Sequence, residues 1–363
     1  MDPKHQYYIE QALELAQQAR FISPPNPWVG ALVVRDQQVV GRGFTQPVGQ
    51  AHAEVMALAE AGEHARGASL YVTLEPCSHY GRTPPCVEAV IKAGIAKVFI
   101  ALMDPDPRVA GQGIQLLREA GIQVTVGVGK EEAKALLAPY LHQRKTGKPF
   151  VVAKMAVSLD GRTAAIDHTS QWISSAEARQ DVHRLRAESQ AIVIGSGTAL
   201  HDKPTLNVRH PSISLVQQPL RVLLDGRGRV KAEGPLFDLS LAPTLVMTSK
   251  ECLRQRREEW ERKGAEVLEL DRWPPEAVLQ SLTQRGILQV LIEGGVSVHT
   301  SFIEAGCVNK LVVYTGSLLL GSGGLPSFLG KIPTLSAAPT FKLSNLQRFG
   351  DTIRADYLLA ITL

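Results

Sequence analysis

The sequence predicts two consecutive α/β domains, and two observations support this prediction. The chain has 363 residues, which is long for one domain and enough for two that each bury a core. Helical and strand-like patterns also alternate along the whole chain, with one interruption. That interruption is the polar, basic segment 142–149, which is closed by Gly and Pro and indicates a domain boundary. We therefore predict domains at 1–147 and 148–363.

In the first half, the residue patterns predict the element order α-β-β-α-β-α-β-α-β, with one more helix before the boundary. That order is typical of a three-layer fold in which helices cover a mixed five-stranded sheet. The predicted helices lie over 7–21, 53–61, 87–93, 113–120 and 131–141, and the predicted strands over 29–34, 38–43, 69–73, 96–102 and 123–128.

In the second half, a new alternation begins at residue 150 and predicts another α/β sheet. The predicted strands lie over 150–157, 189–195, 220–225, 243–248, 264–270 and 287–293, and the predicted helices near 175–187, 251–262, 275–284 and 296–305. The tail over 342–363 alternates as two terminal strands.

Composition excludes several classes of function. Lys+Arg 39 against Asp+Glu 35 leaves a small positive charge, and the Arg residues of 254–263 are interleaved with Glu, so we expect no nucleic-acid partner. No stretch has the length and apolar character of a membrane span, and the first residues lack the apolar core of a signal peptide. Outside the pattern described next, Cys252 and Cys307 are too few for a disulfide framework. We predict a cytoplasmic protein.

The segments His52-Ala53-Glu54, Pro76-Cys77 and Cys86 form the pattern with the clearest chemistry. One imidazole and two thiolates can hold Zn²⁺ and leave its fourth tetrahedral position open for water. Zinc in that state lowers the pKa of its water to about 7. Glu54 is close enough to His52 to carry a proton without binding the metal. We predict His52, Cys77 and Cys86 as metal ligands and Glu54 as the catalytic acid/base.

Each part of this pattern has an ordinary explanation when it stands alone. His-Ala-Glu is common on solvated helix faces, and Pro-Cys is commonly a turn followed by a buried thiol. The local context favours the metal site. Residues 53–61 are strong helix formers, so His52 and Glu54 fall at a helix N-terminus. Cys86 precedes the predicted helix over 87–93, where the helix dipole lowers the pKa of a thiol.

A His-x-Glu segment followed by Pro-Cys resembles the zinc-dependent base deaminases. Most of that superfamily spaces its two thiols as Cys-x-x-Cys, whereas eight residues separate Cys77 from Cys86 here. This long spacing, together with the segment 26–30 (Asn-Pro-Trp-Val-Gly), is similar to the riboflavin-biosynthesis pyrimidine deaminases. The resemblance implies a cytidine-deaminase-like domain whose Asn26, His79 and Arg82 contact the pyrimidine or its phosphate.

Two positions qualify this resemblance. His79 is not expected as a fourth zinc ligand, because hydrolysis needs the open position. Thr45 stands where the family often carries His. A threonine hydroxyl can form a hydrogen bond but cannot bring a positive charge to a phosphate.

Three segments of the second half end in glycine or a turn after an apolar strand: 154–162, 195–209 and 293–298. Glycines at strand ends let a ligand approach the backbone, and N–H groups at a helix start can bind phosphate. Each segment alone is more simply an ordinary turn. The chain has no complete G-x-G-x-x-G fingerprint and no Walker A motif, so a standard Rossmann dinucleotide site is not predicted.

In this order, the three segments resemble the reductase half of the bifunctional riboflavin-biosynthesis deaminase–reductases, a family whose members have about this length. The resemblance implies a dihydrofolate-reductase-like α/β domain that uses NADPH. The implied cofactor residues are Ala156, Trp172, Thr198, Asp202, Asp225, Gly295, Val296, Ser297, Val298, His299, Thr300 and Ser301. The implied substrate residues are Lys154, Ser170, Arg186, Leu206, Arg209 and Glu293.

Chemistry agrees with several of these assignments. Arg186 and Arg209 are suited to grip a phosphate by forked hydrogen bonds. Lys154, Asp202 and Glu293 are suited to orient a ring-opened sugar imine and to deliver a proton. The ordinary explanation for any one of them is a surface ion pair.

The resemblance thus implies a two-step enzyme with Zn²⁺ and NADPH as cofactors. The first step deaminates 2,5-diamino-6-(5-phosphoribosylamino)pyrimidin-4-one by hydrolysis, and the second reduces the ribosyl group of the product to ribityl. We also expect a homo-oligomer, a dimer or tetramer. One alternative is another nucleobase or nucleic-acid deaminase with an appended, non-catalytic or regulatory second domain. Another is a binding module in which one half is catalytically dead.

Overall fold

A computed structural model of the chain describes residues 2–271 and 274–359. The chain forms two compact units, Met1–Lys148 and Pro149–Leu363, and this division falls one residue after the predicted boundary. None of the helices in the described ranges combines the length and the apolar character that a membrane span requires.

The first unit is a mixed five-stranded sheet with helices packed on it, as the sequence predicts. Its strand order is β2-β1-β3-β4-β5; β1 pairs antiparallel with β2 and β3, and β3, β4 and β5 are parallel. The helices are α1 (Pro3–Ala19), α2 (Ala53–Ala61), α3 (Cys86–Lys92), α4 (Gln112–Glu119) and α5 (Lys130–Thr146), and the strands are β1 (Gly30–Arg35), β2 (Gln38–Phe44), β3 (Ser69–Val72), β4 (Lys97–Ile100) and β5 (Gln123–Val126).

Two helices of this unit are longer than predicted. Helix α1 begins at Pro3, not at residue 7, because the Asp2 side chain accepts a hydrogen bond from the Lys4 amide (3.1 Å) and caps the first turn. Helix α5 continues through Pro139 to Thr146 and ends at the left-handed Gly147. The polar segment that predicts a linker is therefore mostly helical.

A close approach between α2 and β2 places the N-terminus of α2 on the sheet. A Cβ on Gly43 would lie only 2.1 Å from the carbonyl oxygen of Ala53, so only glycine allows this packing. Trp28 is fully buried and donates from its indole nitrogen to the Leu136 carbonyl (2.9 Å), which ties the segment before β1 to α5.

The second unit is built on a nine-stranded sheet with the order β11-β10-β9-β8-β12-β6-β13-β16-β15. The strands from β11 to β13 run parallel, and β16 and β15 are antiparallel. The strands are β6 (Phe150–Val157), β7 (Arg162–Ala164), β8 (Ala191–Gly195), β9 (Leu220–Leu224), β10 (Thr244–Thr248), β11 (Glu266–Glu269), β12 (Gln289–Gly294), β13 (Lys310–Thr315), β14 (Leu325–Pro326), β15 (Phe341–Phe349) and β16 (Thr352–Leu359).

The helices of this unit are α6 (Ala176–Ala187), α7 (Ser196–Asp202), α8 (Arg254–Arg262), α9 (Pro275–Gln284) and α10 (Val296–Glu304). The central strands are apolar along their length, and Val151, Val193, Val222 and Val290 are fully buried, as expected for parallel strands that are covered on both faces. Because β6, β8, β9 and β12 are parallel, their carboxyl ends meet at one edge of the sheet.

Three parts of this unit differ from the sequence-based prediction. Strand β13 lies inside the sheet but is not predicted, and helix α7 occupies a segment that the glycines suggest is a turn. The short pair β7–β14 is also not predicted. Of the predicted terminal strands, residues 360–363 lie outside the described residues.

Candidate active sites

Three metal-ligand side chains converge in the first unit. His52 is the N-cap of α2, Cys77 follows β3, and Cys86 is the first residue of α3. The His52 Nδ1 atom lies 3.6 Å from the Cys77 sulfur and 3.3 Å from the Cys86 sulfur. All three ligand atoms lie within 4.8 Å of one another. The predicted ligands are therefore brought together by the N-terminal ends of two helices and by the loop that follows β3.

The electrostatics of this cluster favour a thiolate. The Cys77 sulfur accepts hydrogen bonds from the Cys86 thiol, from the His52 ring and from the Cys86 amide (3.3 Å), and these lower the pKa of Cys77 to about 4. The pKa of Cys86 is raised, because its proton is held by the Cys77 sulfur and because it is buried. One imidazole and two sulfurs, with a thiolate already favoured, are a donor set that suits Zn²⁺.

Glu54 lies in the first turn of α2, two residues after His52, and is 4 % exposed. Burial, and then the neighbouring Cys77 charge, raise the pKa of Glu54 to about 7. A carboxyl group with a pKa near neutral can both accept and release a proton, which is what general acid–base catalysis requires.

Glu75 is a supporting residue that the sequence analysis did not single out. Its carboxylate is buried and accepts hydrogen bonds from the amides of Asp104 (3.2 Å), Gly111 (3.0 Å) and Ile114 (3.2 Å). These bonds fix the loop between β4 and α4 against the segment that leads to Cys77. A buried acid directly before Pro-Cys is the signal that could have indicated it.

The predicted pyrimidine contacts lie on two loops of this unit. Asn26 is half-buried in the loop before β1, where its backbone N–H donates to the Ser23 carbonyl (2.9 Å). His79 and Arg82 lie on the loop between the two thiols; Arg82 is exposed, and the buried His79 Nδ1 atom has no hydrogen-bond partner in the described residues. His79 is not part of the ligand cluster found in the described ranges.

Thr45, which stands where the related enzymes often have His, turns inward. It is 2 % exposed, and its hydroxyl oxygen accepts a hydrogen bond from the Val29 amide (3.1 Å). Its hydroxyl therefore ties the end of β2 to the start of β1, and it is not available to a ligand.

In the second unit, a cavity of about 920 Å³ opens where the carboxyl ends of β6, β8, β9 and β12 meet. Most of the residues predicted for the reductase site line it. They are Lys154, Ala156, Ser170, Trp172, Arg186, Thr198, Asp202, Leu206, Arg209, Glu293, Gly295, Val296, Ser297, Val298 and His299.

Three predicted cofactor residues do not line this cavity. Asp225 is 1 % exposed and turns inward, where its Oδ2 atom accepts from the Val230 amide (2.8 Å). Thr300 is buried, and its hydroxyl accepts from the Leu329 amide (2.9 Å). Ser301 is exposed and donates to the Val298 carbonyl of its own helix (3.0 Å). The side chains of Thr300 and Ser301 lie off the cavity because a helix turns successive side chains to different faces.

A buried ion pair, Arg186–Glu293, lies in the lining of the cavity. Two nitrogens of Arg186 donate to the two carboxylate oxygens of Glu293, and Nη1 of Arg186 donates to the Asn207 carbonyl (3.2 Å). Burial alone would raise the pKa of Glu293, but Arg186 and then Lys154 outweigh it and hold that pKa below its usual value. The guanidinium of Arg186 is thus occupied by protein. The prediction that Arg186 grips a phosphate is not supported, whereas Arg209 is exposed at the cavity.

Lys154 extends from β6 into the same region. Burial lowers the pKa of Lys154, and the charge of Arg186 acts in the same direction, while Glu293 and Asp202 oppose the shift. The side chains of Ser170 and Asp202 are joined by a hydrogen bond of 3.1 Å. The guanidinium carbon of Arg179 lies 4.3 Å above the ring of Trp172, which is 63 % exposed.

The cationic or titratable residues of the cavity that were not identified from the sequence include Arg179, His183 and Arg229. Burial, and then the charges of Arg186 and Arg209, lower the pKa of His183 to about 4. His183 precedes Arg186 by three residues on α6, so the two share a helix face. That spacing was a usable signal. Arg229 follows the turn after β9, and no sequence pattern indicated a role for it.

Comparisons with known proteins match both units of the chain. Residues 2–102 match the family model of the cytidine and deoxycytidylate deaminase zinc-binding region, and residues 149–354 match that of the RibD C-terminal domain. Among curated relatives, the riboflavin biosynthesis protein RibD of Chlamydia muridarum is 44 % identical over 354 residues, which is 96 % of this chain and 95 % of the relative. That of Escherichia coli K12 is 39 % identical over 96 % of this chain and 97 % of the relative.

Solved structures give the same result. Acinetobacter baumannii RibD has a TM-score of 0.90 at 40 % identity and covers 99 % of both chains. A diaminohydroxyphosphoribosylaminopyrimidine deaminase/5-amino-6-(5-phosphoribosylamino)uracil reductase from Thermotoga maritima has a TM-score of 0.88 at 33 % identity, covering 98 % of this chain and 99 % of that one. The alternative of a non-catalytic second half is thereby set aside. The chain belongs to the RibD family of bifunctional riboflavin-biosynthesis enzymes, a zinc-dependent deaminase followed by an NADPH-dependent reductase.

Proposed function

We propose that the first unit deaminates 2,5-diamino-6-(5-phosphoribosylamino)pyrimidin-4-one, with His52, Cys77 and Cys86 as the zinc ligands and Glu54 as the acid/base. Zinc, when it is bound, supplies a water molecule of lowered pKa at neutral pH. Glu54 takes a proton from the attacking water and passes it to the 2-amino group. The bond from C2 to that nitrogen breaks, ammonia leaves, and C2 keeps the oxygen.

The position of Glu54, buried in the first turn of α2 two residues after His52, is the observation that supports its role. A carboxyl group with a pKa of about 7 loses and regains a proton at little cost near neutral pH, so one residue serves both halves of the transfer. We assign Asn26, His79 and Arg82 to the pyrimidine and its phosphate. The unpartnered Nδ1 atom of His79 supports this assignment, because a buried polar atom without a partner is costly unless a ligand satisfies it.

We assign the reduction to the cavity of the second unit. NADPH, when it is bound, supplies a hydride, which goes to C1′ of the ring-opened ribosyl imine, and a proton goes to the attached nitrogen. Glu293 stays ionised, because Arg186 lowers its pKa, and it accepts hydrogen bonds from the substrate. Lys154, whose pKa is lowered by burial, is placed to give up the proton. Arg209, exposed at the cavity, binds the substrate phosphate.

The main observation that supports these two activities is that one chain holds a His–Cys–Cys cluster in one unit and a cavity lined by basic residues in the other. The test supplies the diaminopyrimidine phosphate to the full chain with and without NADPH, and identifies the products by mass. Without NADPH we expect the deaminated ribosyl compound to accumulate, and with NADPH the ribityl compound. Deamination without any NADPH-dependent reduction would contradict the proposed second activity.

We also propose that the protein is a cytoplasmic homo-oligomer that associates through the edge of the large sheet. The hairpin of β15 and β16 exposes Leu343 (51 %), Leu346 (62 %) and Ile353 (50 %), and their pairing partners place them on one face. Exposed apolar edge strands are unusual unless another chain covers them. Light scattering tests this proposal. The wild-type chain and the matched control Lys342→Glu should be oligomeric, whereas Leu346→Lys should give a smaller species. A monomeric wild type would contradict it.

A further inference from the structure

The cavity of the second unit carries more positive charge than the residues described so far can use. It is lined by two carboxylates, Asp202 and Glu293, and by six basic residues: Lys154, Arg179, Arg186, Lys203, Arg209 and Arg229. Arg186 is neutralised by Glu293. Arg229 is exposed and forms no ion pair in the described residues.

Arg229 lies at the opposite end of the cavity from Lys154. Strand β9, which leads to Arg229, is separated from β6, which carries Lys154, by β8 and β12. Neighbouring strands lie about 4.8 Å apart, so the two ends of the cavity are about 14 Å apart. A dinucleotide whose nicotinamide reacts beside Lys154 therefore places its adenosine half toward β9, with its phosphates near the glycines of β8 and β12.

The charge at the end of β9 bears on which adenosine ribose this end of the cavity suits. In Rossmann folds, NADH sites commonly place a carboxylate beside the adenosine ribose to bind its 2′-hydroxyl, whereas an arginine accommodates the 2′-phosphate of NADPH. The same complementarity of charge applies at any site for these nucleotides. Here the carboxylate is Asp225, which turns away from the cavity and accepts a hydrogen bond from the Val230 amide. The only charge that the end of β9 offers to the described cavity is the guanidinium of Arg229.

The turn that carries Arg229 is held in place on both sides. Trp260 is fully buried and donates from its indole nitrogen to the Val230 carbonyl (3.0 Å), while Asp225 binds the Val230 amide. Gly228 has a left-handed φ of +68°, and a Cβ there would lie 2.7 Å from the Cys252 sulfur. The backbone at Arg229 is therefore fixed before a ligand binds, which reduces the ordering that binding requires.

Ser196 completes the arrangement. Nη2 of Arg229 donates to the Ser196 hydroxyl oxygen at 2.5 Å, and Ser196 also lines the cavity. A guanidinium and a hydroxyl side by side offer several donors to one phosphate, and such charge-assisted bonds are the strong ones.

We propose that Arg229, assisted by Ser196, binds the 2′-phosphate of NADPH and gives the reductase its preference for NADPH over NADH. This proposal rests on the assignment of the cavity to the cofactor. It adds a specificity residue that no part of the sequence pattern indicated.

The test titrates NADPH and NADH separately into the full chain and follows nicotinamide fluorescence. Arg229→Gln should raise the Kd for NADPH by about 10- to 100-fold, as the loss of hydrogen bonds to a charged group predicts. The Kd for NADH should change by less than about twofold, because NADH has no 2′-phosphate. Ser196→Ala should weaken NADPH binding by about three- to tenfold and leave NADH binding unchanged.

Arg227→Gln is the matched control. Arg227 is on the same turn, its side chain is 79 % exposed, and it pairs with Glu251 outside the cavity lining. Equal weakening of both nucleotides by Arg229→Gln, or the same effect from Arg227→Gln, would overturn the assignment of the 2′-phosphate. A wild type that binds neither nucleotide would instead contradict the assignment of the cavity. The two failures are therefore distinguishable.

Discussion

Glu54 and Glu293 are both buried carboxylates in active sites, yet their surroundings shift their pKa values in opposite directions. Glu54 has no arginine partner in the described residues, and burial raises its pKa to about 7. Glu293 is held by two donors of Arg186, and its pKa is lowered despite burial. Burial raises the pKa of a carboxyl group, whereas contact with a guanidinium lowers it.

The difference matches the two reactions. Hydrolytic deamination moves a proton from water to the leaving amine, so its carboxylate must change charge twice. Hydride transfer needs a fixed anion to orient an electron-poor carbon and its nitrogen, so a constant charge is useful. The same residue type thus serves two chemistries because of the residue that lies beside it.

The largest effect should come from removing the proton carrier. Glu54→Gln keeps the size and the hydrogen bonds of the side chain but cannot carry a proton, so deamination should fall by at least about 10²- to 10⁴-fold. Zinc content, measured by metal analysis, should stay at one per chain. Glu60→Gln, at an exposed position on the same helix, is the control. Empty metal sites in Glu54→Gln would mean that Glu54 is a metal ligand and would contradict its assignment as the acid/base.

Removing the arginine partner of Glu293 should leave this carboxylate buried without a compensating charge. In Arg186→Met, Glu293 remains buried without its partner, which costs about 3–5 kcal/mol. We expect this loss in the protection of α6 and β12 amides against hydrogen exchange, together with a strong decrease in reduction. Arg184→Met, at a side chain that is 54 % exposed, should cost less than about 1 kcal/mol. Similar losses of stability from Arg186→Met and Arg184→Met would refute the role of the Arg186–Glu293 pair.

A smaller effect is expected from His299, a neutral buried group in the same cavity. Burial lowers its pKa from the usual 6.5 to about 4, so its contribution is complete above pH 6.5 and is lost as pH falls toward 4. Between pH 7 and pH 5 the free energy of unfolding should drop by about 2 kcal/mol from this group. Urea unfolding at both pH values tests this. His299→Gln should flatten the dependence, and an unchanged slope would show that other groups cause it.

The smallest expected effect tests whether the two sites act separately. Asp202→Asn removes a charge from the cavity of the second unit and should impair reduction. Because the two sites share no residue, deamination by the same protein should stay within about twofold of wild type. The measurement is ammonia release from the diaminopyrimidine phosphate in the absence of NADPH. Loss of both activities in a folded Asp202→Asn protein would indicate one composite site.

Sequence reasoning performed differently at the two sites for a physical reason. His52, Cys77 and Cys86 are recognised by their chemistry, since few other residues hold a metal, and His52 and Cys86 each lie at the start of a short, clearly patterned helix. The reductase cavity is assembled from residues between 154 and 325, and its shape depends on which way each side chain turns. Asp225 shows the limit: an acid at a strand end was predicted to face the cofactor, but it caps its own turn.

The fold class and the order of most elements were predicted from the sequence. The prediction missed β13, α7 and the continuation of α5. The run Lys310–Thr315 is rich in β-branched and aromatic residues, which was a usable signal for β13. Nothing local shows that α7 begins directly after Gly195 and includes Gly197, or that α5 continues through Pro139. These depend on packing against neighbours that a linear pattern does not contain.

The contact between β12 and α7 has a consequence for sequence evolution. A Cβ on Gly294 would lie 2.7 Å from the Thr198 hydroxyl oxygen and 2.8 Å from its methyl carbon, so the two positions compete for one small volume. A homologue with alanine in place of Gly294 must shorten the side chain that replaces Thr198, and one that keeps threonine must keep glycine. We therefore expect these two alignment columns to covary, and Gly294→Ala to be tolerated better with Thr198→Gly than alone.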